Sequence, residues 1–142
     1  MTARRLMPFG ILLSASVALS ASARAQETTF APVPLKEIAR ATSGDPLAIW
    51  SDRELAAVVA GAPDIYAGTY RTDRGAIVIS QLVGRGLCDT PSDCPVRVVL
   101  QDQAGKRRVL IENEQLCASP NFFAVRRDLK ALRACDRVVT LP

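Results

Sequence analysis

The chain has 142 residues, is 49% hydrophobic and 23% charged, and carries four Cys, no His and a formal net charge of +4. That length suits one domain, and these shares exclude wholesale disorder and collagen-like repeats. Without His, no Ser-His-Asp triad, Cys-His pair or His-ligated metal can form.

Residues 1–25 read MTARRLMPFGILLSASVALSASARA. Arg4 and Arg5 give a basic start, residues 6–19 are mostly apolar, and Ala23 and Ala25 are small enough for a signal-peptidase pocket. This is the three-part pattern of a cleavable secretory signal. The apolar run falls short of the roughly 20 residues that span lipid, so no transmembrane anchor is expected in the mature form. The Arg- and Ala-rich leader points to a bacterial envelope, hence to a periplasmic or secreted product. Removing it takes away Arg4, Arg5 and Arg24 and no acid, so +4 becomes +1. A nucleic-acid partner is therefore not expected, because that footprint needs a strongly basic domain. The remaining charge is uneven: residues 26–64 hold three bases and six acids, and residues 65–142 hold twelve bases and eight acids.

Residues 26–45 read as a flexible or partly helical arm. Pro32 and Pro34 favour extended backbone, and residues 35–41 suggest a short helix stopping at Ser43 and Gly44. Residues 46–142 form a single domain. Its clearest helix runs over residues 51–60. Ser51 and Glu54 make a capping box, Leu55, Val58 and Val59 share a face, and Gly61 and Pro63 supply the stop. Trp50, just before the cap, is placed to staple against Leu55.

From Ile65 onward the period becomes two. Tyr66 and Tyr70 fall on one side of a strand, and Asp73, Arg74 and Gly75 make a turn. Residues 76–83 (AIVISQLV) are apolar on both faces and predict a central strand. VRVVL at 96–100 and RRVLI at 107–111 predict a hairpin, and FFAVRR at 122–127 a further strand. Residues 128–137 fit either a helix capped by Asp128 or a tight turn, and residues 138–141 a last strand. The expected fold class is α+β: one or two N-terminal helices packed on a mostly antiparallel sheet of five to six strands, stapled by disulfides.

Cys88, Cys94, Cys117 and Cys135 are an even set in a chain read as exported, which predicts disulfides. The preferred pairing is Cys88 with Cys94 and Cys117 with Cys135. Asp89, Pro91, Ser92 and Asp93 are turn formers that let the first pair close. Loop entropy assigns the two bonds about 2.4 and about 3.2 kcal/mol. The spacings do not suit a four-cysteine zinc site or a C-x-x-C redox pair, so no metal and no cofactor are expected.

The closed loop, with Asp89, Thr90, Pro91, Ser92 and Asp93 at its tip, is the candidate binding feature, because a tied loop loses little entropy on binding. In being a short Cys-bounded loop it resembles what some bacterial periplasmic lysozyme inhibitors present, although LCDTPSDCP lacks their His and residue count. Glu112 and Glu114, two apart, are the only carboxylate pair considered for hydrolysis. Lys106, Arg107, Arg108, Arg126 and Arg127 read as guards of sheet edges. Tyr66, Tyr70, Phe122 and Phe123 could line an apolar groove or pack in the core. The functional expectation is a small exported non-enzymatic protein that binds a protein or cell-wall partner in the envelope or outside the cell. Alternatives are an inhibitor of a lysozyme-like or proteolytic enzyme, a carboxylate-based hydrolase, and a small-ligand carrier.

Overall fold

A computed structural model describes residues 29–90 and 92–142 of the chain. The expected leader over 1–25 and residues 26–28 of the expected arm lie outside the described residues. The strands are β1 (Phe30–Pro32), β2 (Lys36–Arg40), β3 (Asp64–Thr72), β4 (Gly75–Val83), β5 (Asp93–Asp102), β6 (Arg107–Cys117), β7 (Phe123–Arg126), β8 (Ala131–Ala134) and β9 (Arg137–Thr140). The helix α1 is Asp52–Val58, with 3-10 turns at Ala41–Ser43 and Val59–Gly61. All strand pairs are antiparallel, in a five-stranded sheet ordered β2-β3-β4-β5-β6 and a four-stranded sheet ordered β1-β7-β8-β9.

The α+β expectation of one or two helices on a sheet of five to six strands is overturned. The described residues are 53% strand and 12% helical, in two sheets with one short helix. One local misreading and one segment left open between helix and turn account for the difference. Residues 35–41 do not form a helix: Lys36–Arg40 pairs with β3 through a bulge between Glu37 and Ala39. A seven-residue helix gains too few internal hydrogen bonds to offset its nucleation, whereas the open edge of β3 satisfies the same backbone groups. Residues 128–137, open between a helix and a tight turn, take the second alternative and form turns around β8. Leu129 and Cys135 adopt left-handed backbone at φ 63° and 54°, and nothing in either residue type announces that conformation. The described part of the expected arm is likewise ordered into β1 and β2. Pro32 is tolerated because β1 is an edge strand, where the missing N–H is not needed.

The larger sheet is covered on its inner face and over part of its outer face. Its inner face, with Ile77, Ile79, Val96, Val98 and Ile111, packs on Phe123, Val125, Leu132 and Ala134 of the smaller sheet. The chain passes between the sheets through residues 33–35: Val33 N–H donates to Phe123 O at 2.8 Å and Leu35 N–H to Pro120 O at 2.8 Å. A Cβ on Gly68 would come within 2.9 Å of Pro34 O and of Leu35 Cδ2, so a residue without a side chain is needed under that crossing.

The outer face of the larger sheet carries Ile65, Val78, Leu82 and Val99, covered by Ala41, Ile49, Trp50 and Leu55. This cover is organised by short-range chemistry. The Asp45 carboxylate accepts from the N–H groups of Leu47, Ile49 and Trp50 at 2.8–2.9 Å. The Ser51–Glu54 capping box is complete. The stop differs from expectation: Ala62, not Gly61, is left-handed, at φ 45°. Gly61 is needed for another reason, since a Cβ there would meet Arg85 O at 2.5 Å.

Two disulfides complete the frame, Cys88–Cys94 and Cys117–Cys135, and both pairings are those expected. The second joins the end of β6 to the turn between β8 and β9, so it links the two sheets covalently.

Candidate functional site

The Cys88–Cys94 loop leaves the end of β4 and re-enters the sheet as β5. Its neighbour is β6, whose Gln115 clamps it from beneath. The Gln115 amide Nε2 donates to Leu87 O at 2.9 Å, and its Oε1 accepts from Asp89 N–H at 3.3 Å. Within the loop, Ser92 N–H donates to Thr90 Oγ1 at 3.1 Å and Asp93 N–H to Thr90 O at 3.3 Å. Ala118 N–H reaches Ser92 O from the far side. The loop is thus held by its disulfide, by its own turn and by β6.

The expected binding residues divide. Asp89, Thr90 and Ser92 are exposed, and among the described residues the Asp89 carboxylate has no partner. Asp93 is half-buried and lies 3.7 Å from Arg137, which also donates to Gln115 O at 3.1 Å. It therefore helps to anchor the loop more than to present it. Pro91 lies outside the described residues. Gln115 had no marker in the sequence, since its role depends on β6 running beside the loop.

The other candidates are dispersed. Glu112 and Glu114 are exposed and flank a bulge, because Val96 pairs with Glu114 but Val98 with Ile111. The two carboxylates are therefore not a regular i, i+2 pair on one face. Arg107 and Arg108 do lie on an edge strand. Arg126 does not: β7 is flanked by β1 and β8, and Arg126 Nε pairs with Asp128 Oδ1 at 2.8 Å. That Arg126 hydrogen bond, with Lys130 N–H donating to the same carboxylate, holds Asp128 below its ordinary range. The aromatic groove does not form. Phe123 is buried, Tyr66 and Tyr70 pack against the same inner core, and Phe122 stands 64% exposed.

A polar cluster unforeseen in the sequence sits on the outer face of the larger sheet. Arg97 interrupts the apolar run of β5, and its side chain is only 8% exposed. Its guanidinium lies 4.4 Å from the Trp50 ring centroid. Nη2 donates to Glu54 Oε1 at 2.6 Å and Nη1 to Ile49 O at 2.8 Å. The Arg97 hydrogen bond is the chief cause that holds the Glu54 carboxyl down at about 2, against an ordinary 4.5. Trp50 Nε1–H in turn donates to buried Ser80 Oγ at 2.8 Å. Every member faces another member or the backbone, which makes the cluster a clamp between cover and sheet. On the opposite face Gln81 is fully buried; its amide Nε2 donates to Cys117 O, and its Oε1 has no partner among the described residues.

The register of the larger sheet also aligns two rungs across four strands on the outer face. One is Thr69, Val78, Val99 and Val109; the next is Arg71, Ala76, Gln101 and Arg107. They border a cleft of about 130 Å³ beside Leu47 and Ile49. No family model, curated protein or solved structure matches the chain.

Proposed function

We propose that the protein is an exported, non-enzymatic binding protein that engages another envelope or extracellular macromolecule through the rim of the Cys88–Cys94 loop. The observation that carries this reading is the pairing of exposure with constraint. Asp89, Thr90 and Ser92 face solvent, while the disulfide, Gln115 and the Asp93–Arg137 pair hold the backbone that bears them. A loop fixed before encounter loses little conformational entropy on binding. Export rests on the leader read in residues 1–25, and it accords with two paired disulfides, which persist in oxidising compartments. Among the described residues no helix is long and apolar enough to cross a membrane.

The test is quantitative crosslinking and pull-down from the native envelope fraction, with the mature chain and its Asp89→Ala/Ser92→Ala variant. Removing the exposed rim groups lowers capture about tenfold, as loss of one or two central contacts does. Both side chains are exposed, so the melting temperature stays unchanged. Equal capture by the two proteins excludes the loop as the contact.

The Asp89 carboxylate, without a partner among the described residues and held at a rigid tip, favours one narrower reading, contact with the basic surface of a lysozyme-like or proteolytic enzyme. A lysozyme turbidity assay checks it: slowed clearing that Asp89→Ala abolishes supports inhibition, and undiminished clearing across several lysozyme classes removes it.

A further inference from the structure

The cover on the outer face of the larger sheet is too short for the surface beneath it. A nine-residue strand such as β4 extends about 30 Å. The seven residues of α1 extend about 10 Å. The cover is prolonged by residues 45–50 and ends at Leu47, where Arg107 Nη1 fastens it by donating to Leu47 O at 2.6 Å. Beyond that point the face is open. The cleft of about 130 Å³ forms there, with Ala76, Val78 and Val99 as its floor. Ala76 sits between the longer Arg71 and Gln101 in its rung, which makes the depression. Val109, at the end of the neighbouring rung, is left 51% exposed.

The rim is of one sign. Arg71 and Arg107 stand on either side of the floor, Thr69 and Gln101 add neutral hydrogen-bonding groups, and the lining has no carboxylate. Arg107 is engaged by the cover, but the Arg71 guanidinium has no hydrogen-bond or ion-pair partner among the described residues. A single unpaired guanidinium beside a small apolar floor is matched by a carboxylate on a compact apolar body. Size narrows this further, since a cavity of about 150 Å³ accepts a benzene ring. We propose that this cleft binds a small organic acid, one ring or a short branched chain bearing one carboxylate, with the apolar part on Val78 and Val99 and the carboxylate on Arg71. The cleft lies at the end of β5 opposite the Cys88–Cys94 loop, about eight residues or 25 Å away, so this site stands or falls independently of the loop.

The experiment is an NMR titration of the mature chain with sodium benzoate, and in parallel with benzyl alcohol and benzylamine. Benzoate shifts the amides of Thr69, Ala76, Val78 and Gln101, while the neutral and cationic analogues bind more weakly. Arg71→Gln weakens benzoate about fivefold, the scale of an exposed charged contact. Arg108→Gln leaves benzoate binding unchanged: Arg108 pairs with Leu100, whose side chain packs into the inner core, so it lies on the other face of the sheet. Absence of shifts at about 20 mM benzoate, about twentyfold above a dissociation constant of about 1 mM, overturns the proposal. So do equal binding of benzyl alcohol and equal losses from Arg71→Gln and Arg108→Gln.

Discussion

Glu54→Gln isolates the charge of the clamp between cover and sheet. Gln retains the length of Glu and the acceptor needed at the third position of the capping box, so the helix start is kept while the buried Arg97 guanidinium loses its counter-ion. The native carboxyl is held at about 2 against an ordinary 4.5. Undiluted, that gap corresponds to about 3 kcal/mol. Because 43% of the Glu54 side chain is exposed and water screens the pair, the cost at pH 7 falls to about 1–2 kcal/mol. The folded value lies below the unfolded one, so the stabilisation is complete above about pH 4.5 and is lost as pH falls toward 2. Urea unfolding followed by fluorescence reports on this site directly, since the chain's one Trp is the ring under Arg97. The wild-type advantage over Glu54→Gln is therefore flat from pH 7 to 5 and shrinks steadily below. A difference under about 0.5 kcal/mol at pH 7, the scale of a fully exposed pair, refutes this account, as does an advantage that persists undiminished at pH 2.5.

Three further outcomes are expected. Replacing Cys117 and Cys135 together by Ala removes the bond between the two sheets, whose ends are 18 residues apart, and lowers stability in urea by about 3 kcal/mol; native mass spectrometry of the parent shows it about four hydrogens lighter than its reduced form. Gly68→Ala pushes a Cβ against Pro34 O and Leu35 Cδ2 and costs about 2 kcal/mol in thermal unfolding, with no such penalty at Gly86, where a Cβ meets nothing and only the positive φ opposes it. Trp50→Phe keeps an aromatic face for Arg97 but strips the donor from buried Ser80 Oγ, and lowers the unfolding midpoint by the equivalent of about 1–2 kcal/mol.

The features of this protein legible in its residues are those closed by short-range chemistry. The Ser51–Glu54 box, the Thr72–Gly75 turn, the central strand over AIVISQLV and the Cys88–Cys94 pairing each depend on residues a few positions apart or on one persistent period, and once that pair is made only Cys117 and Cys135 remain for each other. The loop could be named from Cys88 and Cys94 alone, but not its clamp, because Gln115 is remote in sequence and adjacent only once β5 and β6 are paired. The same holds for Arg97, a lone charge within VRVVL whose partners are remote in sequence until Trp50 and Glu54 fold over it. Residues 36–40 show the contest most plainly. Their local pattern permits a helix, and the free edge of β3 turns them into a strand. Capping, turns and the short Cys88–Cys94 loop are settled within a few residues and so are written locally. Strand register, the choice of sheet edge and the left-handed backbone of Ala62, Leu129 and Cys135 are settled by partners that only the folded chain brings near, because a strand's hydrogen bonds and side-chain contacts are all made to another segment.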